Sequence, residues 1–169
     1  MTEVRPIWRP MAPADLPALL AVADIVHPSY PEDAAVFEER LALFPAGCLV
    51  LELPSTNLIG YILSHPWTYA APPALNSLLR ALPMPPTTYY IHDIALLPEA
   101  RGTGAANAVV AQLIELAQTL HLPNLSLVAV NNSVAFWQRH GFVLTAIPAL
   151  DAKLRSYDEA ARFMVRAID

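Results

Sequence analysis

The stretch IHDIALLPEARGTGAANAVVAQLIELA, Ile91 to Ala117, decides how the rest of the chain is read. It opens on an apolar run and turns at Pro98-Glu99-Ala100. It continues as an amphipathic segment with Val109, Val110, Leu113, Leu116 and Ala117 on one stripe. That is a strand, a turn and a long helix, Thr103 to His121. At the junction, Arg101-Gly102-Thr103-Gly104-Ala105-Ala106 puts backbone amides at a helix N-terminus with almost no side-chain cover, the chemistry of a phosphate cradle. A Walker loop needs Lys-Ser/Thr after its last glycine, and Gly104 is followed by Ala105-Ala106. A dinucleotide fingerprint needs a third glycine where Asn107 stands, and an acidic residue where Pro123-Asn124-Leu125 stand. Neither cradle fits.

Outward from this stretch, the pattern predicts the other elements. Tyr89 to Leu97 reads as a central strand, and Leu125 to Val130 as a second buried strand after the helix. Strand, helix and strand at this spacing form a βαβ unit with locally parallel strands. Upstream, Val4 to Arg9 reads as a strand, Asp15 to Val26 and Glu32 to Phe44 as helices, and Cys48 to Leu53 and Leu58 to Ser64 as an antiparallel pair joined at Pro54 to Asn57. Downstream, Ser133 to His140 reads as a short helix capped by Ser133, and Phe142 to Ile147 and Arg162 to Ile168 as strands. His65 to Thr88 is a long proline-rich connection with a helix-like piece, Ala74 to Leu82. A connection of that length is functional or disordered, and it is expected either to line a ligand cleft or to cover a sheet edge. The expected fold is α/β: a mixed sheet with helices on both faces, in one domain over residues 1–169.

Composition narrows the function classes. Apolar residues make up 55% of the 169, yet charges, prolines and polar residues break every apolar run below membrane-spanning length. The excess points to a large core, an apolar cleft or a self-association surface such as a homodimer interface. A formal net charge of -5 argues against a nucleic-acid footprint and suits a cationic substrate. The opening MTEVRPIW shows no signal-peptide pattern, and the single cysteine, Cys48, forms no internal disulfide, so a cytoplasmic location is expected. The histidines show no paired metal spacing, and no metal site is assigned.

The turn R-G-x-G-x-A after an apolar strand resembles the pyrophosphate loop of the GNAT acyltransferases. The stretch Asn131-Asn132-Ser133-Val134-Ala135-Phe136-Trp137-Gln138-Arg139-His140-Gly141-Phe142 resembles the same superfamily's N-x-x-x-A-x-x-(Tyr)-x-x-x-G-F pattern, at the matching distance. The opening R-P segment and the following D-L-P-A-L-L are similar to the family's first strand and helix, so the resemblance covers the chain in element order. It implies a mostly antiparallel central sheet of six to seven strands with a splayed parallel pair in its middle. It also implies acetyl-coenzyme A as cofactor and a primary amine, on a small molecule or peptide, as acceptor. Its carry-over places Arg101, Gly102, Thr103, Gly104, Ala105 and Ala106 at the pyrophosphate, Ile94, Ala95, Leu96 and Leu97 beside the pantetheine arm, and Asn131 and Phe136 across the cleft.

Attack by an amine needs a general base. His92 lies on the strand that leads into the cradle, and histidine's ordinary pKa of ~6.5 suits the task. Its position is similar to that of a histidine in the serotonin N-acetyltransferase branch. Tyr90 lies two residues earlier on the same face and can pass protons through water. The competing role for His92 is a hydrogen-bonded core histidine. Asp93 is expected on the opposite face, as a structural hydrogen-bonding group or a substrate contact. Tyr30 and Trp67 are candidate substrate contacts, and Asp24, Glu32 and Asp33 would favour a cationic acceptor. One departure matters: Trp137 stands where the family often has a Tyr that protonates the leaving thiolate, and an indole is no usable acid. Tyr90, Tyr30, Tyr157 or water would have to serve. The same departure favours the competing function, a non-catalytic acyl-coenzyme A-binding or protein-interaction module.

Overall fold

The computed structural model describes residues 4–54 and 57–168. Seven strands form one sheet: β1 (Ile7–Pro10), β2 (Cys48–Glu52), β3 (Leu58–Trp67), β4 (Thr88–Leu96), β5 (Asn124–Ala129), β6 (Val143–Leu144) and β7 (Arg162–Ala167). Their spatial order is β1-β2-β3-β4-β5-β7-β6, antiparallel except for β4 beside β5. The helices are α1 (Leu16–Val26), α2 (Ala34–Leu43), α3 (Ala105–Thr119), α4 (Val134–Arg139) and α5 (Asp151–Tyr157). No helix among the described residues is long and apolar enough to cross a membrane.

The two faces of the sheet follow from period-2 alternation. Leu49, Ile62, Tyr89, Ile91, Leu125, Leu127 and Met164 pack under Val109, Val110, Leu113 and Ala117 of α3 and Trp137 of α4. Their neighbours Cys48, Val50, Tyr61, Leu63 and Ala95 pack under Leu19 and Val22 of α1 and Phe37 of α2. Burying each such aliphatic side chain contributes about 1.5–3 kcal/mol. Gly47 lets the turn before β2 lie against β3. A Cβ there would sit 2.1 Å from the Ser64 carbonyl oxygen and 2.7 Å from the Tyr89 hydroxyl. Gly47→Ala is therefore expected to destabilise the fold by about 1–3 kcal/mol or more, seen as a lower urea midpoint at unchanged m-value.

Several boundaries differ from the sequence expectation. The helix-like piece Ala74 to Leu82 is irregular: Asn76 and Arg80 have φ of 54° and 72°, in the left-handed region no helix continues through. β3 runs on past Ser64, with Pro66 opposite Tyr89 and Trp67 opposite Thr88, so the connection is shorter, residues 68–87. The expected strand Phe142 to Ile147 keeps only Val143–Leu144, and β7 takes the place beside β5. Pro148 then starts a turn into α5, a helix that the polar segment before β7 did not announce. Ser133 precedes α4, but its hydroxyl donates to the Val130 carbonyl at 2.6 Å instead of accepting from the helix. Residues 55 and 56 of the β2–β3 turn lie outside the described residues.

Candidate active site

β4 and β5 pair over only three positions, Tyr89 with Leu125, Tyr90 with Ser126 and Ile91 with Leu127. Beyond Ile91 the strands part, and a cleft of about 570 Å³ opens between them. The parting begins at a β-bulge. Leu63 lies opposite Asp93 but Ser64 lies opposite Ile91, so His92 stands opposite no residue of β3. A bulge re-aims the side chains that follow it. Before it, Tyr89 and Ile91 face α3; after it, Ala95 packs on the α1 face and Asp93 bonds Tyr61 of that face. The expectation that Asp93 would point away from His92 is corrected here. Both line the cleft, and both line a smaller cavity of about 40 Å³ that adjoins it.

At one end of the cleft is the glycine turn. Gly102 and Gly104 have φ of 73° and 82°, and a Cβ on either would meet nothing within 4 Å. Both glycines line the cleft, together with Arg101, Ala105, Ala106 and Asn107. The turn is fixed from behind. The Thr103 hydroxyl donates to the Ala100 carbonyl at 2.6 Å and accepts from the Ala105 amide at 3.3 Å, and the Trp8 indole donates to the Ala105 carbonyl at 2.8 Å. The first amides of α3 have no carbonyl one turn back, so a helix start of this kind attracts anions. Arg139 and His140 line the same cleft, and the Arg139 guanidinium sits 6.0 Å above the Phe136 ring. In a chain of net charge -5, two arginines, Arg101 and Arg139, lie in the lining of the cradle's cleft.

At the other end are two histidine–carboxylate pairs. His92 Nε2 lies 2.8 Å from Glu32 Oε1, both almost wholly buried. The other Glu32 oxygen accepts the Asn76 amide at 3.0 Å. Burial pushes the Glu32 carboxyl up, but His92, the Asn76 amide and Arg40 outweigh it and hold it below the usual carboxylate range. His92 Nδ1 has no hydrogen bond among the described residues. His27 Nε2 lies 2.8 Å from Asp93 Oδ1 and 3.0 Å from the Ile94 carbonyl oxygen, while its Nδ1 is buried without a partner. Burial pushes the His27 imidazole down, but Asp93 and the Ile94 carbonyl outweigh it and raise it above the usual histidine value. The Tyr61 hydroxyl donates to the second Asp93 oxygen, and burial followed by that carboxylate pushes Tyr61 well above the ordinary phenol range.

The sequence-derived candidates divide by position. Ile94, Leu96, Asn131, Phe136 and most of the glycine turn line the large cleft, and Tyr30 and Tyr90 line the small cavity. Ala95 is buried against Tyr61, Leu97 packs into the core, and Thr103 braces the turn; none of the three lines either space. Trp67 also lies outside both, donating to the Ala71 carbonyl at 2.7 Å. The Asn131 side-chain NH2 donates to the Val26 carbonyl at 3.2 Å, tying the end of α1 to the loop after β5. Trp137 lines the cleft and is packed against Phe136 and Phe142. His27, Asn107, Arg139 and the seating of Glu32 against His92 were not foreseen. Their signal is tertiary, since residues 27, 32 and 92 meet only once α1 crosses the bulge. Among the described residues, no group of three or more His, Cys, Asp and Glu is arranged to hold a metal ion. Cys48 is buried and its thiol is pushed up to about 12 by burial, which leaves it no nucleophilic form near neutral pH.

The family model for the acetyltransferase (GNAT) family matches residues 8–142. No curated protein sequence matches the chain. Among solved structures, the loading GNATL domain of CurA from Lyngbya majuscula aligns at TM-score 0.77 and 14% identity, over 96% of this chain and 97% of that one. Naa20 of Chaetomium thermophilum, in complex with a bisubstrate analogue, aligns at 0.71 and 20%, over 96% and 86%. Ard1 from Thermoplasma volcanium aligns at 0.70 and 19%, over 98% and 99%. At these identities the likeness is one of fold.

Proposed function

Because the chain belongs to the acetyltransferase (GNAT) family, we propose that it is a single acyltransferase domain that moves the acetyl group of acetyl-coenzyme A to a primary amine, with His92 as general base. One observation carries the reading. The edge of β4 left free by the splay runs from the glycine turn to the His92–Glu32 pair along one continuous cleft. Neighbours of the same fold solved with coenzyme A or with a bisubstrate analogue support the choice of ligand.

Acetyl-coenzyme A supplies a pyrophosphate and an acyl thioester. The residues present fit both. The amides of Gly102 to Ala106 suit the pyrophosphate, with Arg101 and Arg139 adding charge. From Ile94 to Leu96 the side of β4 turned away from β3 has no strand beside it, so an extended amide-bearing arm can lie there and a backbone N–H on that side can polarise the thioester carbonyl. Asp93 holds His27 against the Ile94 carbonyl and so stiffens this edge.

Glu32 accepts from His92 Nε2, which fixes the tautomer and leaves Nδ1 as the free lone pair. His92 Nδ1 takes the proton of the attacking amine as the C–N bond forms and the C–S bond breaks. For an acceptor that arrives as an ammonium ion, the products are the N-acetyl amine, free coenzyme A thiol and one proton. The phenols proposed from sequence as acids are otherwise engaged. Tyr30 donates to Asp158, Tyr157 donates to the Pro73 carbonyl, and burial pushes Tyr90 well above the ordinary phenol range. Thiols titrate near ~8.5, so the thiolate leaves without an acid and takes its proton from solvent.

Gly104→Ala tests the cradle. The space is open, so the cost to folding is the left-handed backbone alone, on the order of 1 kcal/mol. Coenzyme A affinity, measured by calorimetry, is expected to fall by on the order of 10-fold as the methyl group keeps the pyrophosphate from the amides. Unchanged affinity would move the pyrophosphate elsewhere.

A further inference from the structure

The acceptor end of the site carries its own chemistry, and the geometry points to a small primary amine without a carboxylate as the acceptor, rather than an amino acid or a polypeptide N-terminus. This rests on the acyl-transfer reading above. The small cavity beyond His92 holds about 40 Å³, enough by the usual measure for roughly three water-sized groups.

Three segments border it. The strap of residues 68–87 puts Leu75 into its wall and is pinned to α2 and the link before it. Its Asn76 amide donates to Glu32 at 3.0 Å, its Asn76 side-chain oxygen accepts the Asp33 amide at 2.7 Å, and its Leu79 and Arg80 amides donate to Glu39 at 2.5 and 3.1 Å. The buried Arg40 holds the Ser77 carbonyl at 3.2 Å. The end of α5 borders it as well, through Tyr157. The Tyr157 hydroxyl donates to the strap carbonyl of Pro73, and Asp158 accepts from Tyr30 of the α1–α2 link. A polypeptide whose first amine reached His92 from this side, opposite the large cleft, would cross the junction these bonds hold.

Charge adds a second restriction. No lysine or arginine lines the cavity among the described residues, and its two histidines are held by Glu32 and Asp93. A carboxylate on the acceptor would be buried beside Glu32 and Asp93, and the histidine that Asp93 favours in its charged form, His27, is already taken up by that carboxylate. An ammonium group meets the opposite situation.

The test follows thiol release from acetyl-coenzyme A with ethylamine, butylamine, glycine and a tetrapeptide bearing a free N-terminus. The expected order of kcat/KM is ethylamine first, with glycine and the tetrapeptide lower by on the order of 100-fold or more. Leu75→Ala, on the partly exposed strap, is expected to raise kcat/KM for butylamine relative to ethylamine by on the order of 10-fold, the usual worth of a methylene at a pocket wall. Tyr157→Phe, which releases the strap carbonyl, is expected to shift the same ratio in the same direction. Glycine or the tetrapeptide used as well as ethylamine would overturn the inference and leave acyl transfer standing. Silence on every amine, with coenzyme A bound, would overturn acyl transfer itself and this reading with it.

Discussion

His92→Ala is expected to lower kcat/KM for amine acetylation by on the order of 10²–10⁴-fold, the usual worth of a positioned general base. Coenzyme A affinity should change little, because His92 sits at the far end of the cleft from the glycine turn. Glu32→Gln keeps an oxygen near Nε2 but removes the charge that orients the ring. Its loss should be smaller than that of His92→Ala. The double variant should be no worse than His92→Ala alone, since residues that act as a unit are not additive. The comparison discriminates, because a second histidine is available. Wild-type turnover by His92→Ala would transfer the base to His27, whose Nε2 faces Asp93.

The second large effect is on stability in acid, and it comes from His65. This residue is buried in β3 between the rings of Trp67 and Tyr90. Its Nδ1 lies 2.9 Å from the Pro66 carbonyl oxygen, and its Nε2 is buried without a partner. Burial first, then the neighbouring His92 and Arg40, pull its pKa down to about 3. The unfolded chain takes up a proton at this residue near pH ~6.5, whereas the folded chain does not until near pH 3. Between those values the unfolded state binds more protons, so stability falls as pH falls, by roughly 1.4 kcal/mol per unit from this group. Above pH ~6.5 the contribution is complete and flat. His65→Phe keeps an aromatic ring in place and removes the titration. Urea unfolding of the two proteins between pH 7 and pH 4 should therefore show the stability difference moving steadily in favour of the phenylalanine variant. A difference independent of pH would mean that His65 is protonated in the folded protein.

The order and type of most elements were legible because they rest on local periodicity. The α3 stripe, the buried strands β4 and β5, and the paired β2 and β3 all carry it in consecutive residues. The glycine turn was legible for a different reason: its positive φ angles at Gly102 and Gly104 require the residue type that marks them. What failed were features decided by tertiary contact. The bulge at His92 leaves no composition signature in YYIHDIALL, yet it turns Asp93 to the side expected for its neighbours. Pro66 looked like the end of a strand and is instead inside β3, opposite Tyr89. The strap reads as a broken helix because Leu75, Leu78 and Leu79 have helical spacing, whereas its path is dictated by hydrogen bonds to Glu32, Glu39 and Arg40. Glu32 shows the same limit within the site. In sequence it is an acid beside a helix start; in the fold it joins the strap to His92.

The central claim is that the cleft between β4 and β5 transfers an acetyl group to an amine. Its most direct test incubates the protein with acetyl-coenzyme A and ethylamine, and counts released thiol and N-acetyl ethylamine in the same sample. The account predicts the two in equal amounts, accumulating over many turnovers, and both lost together in His92→Ala. Coenzyme A bound tightly, with no N-acetyl amine formed from ethylamine or from any other amine offered, would contradict it.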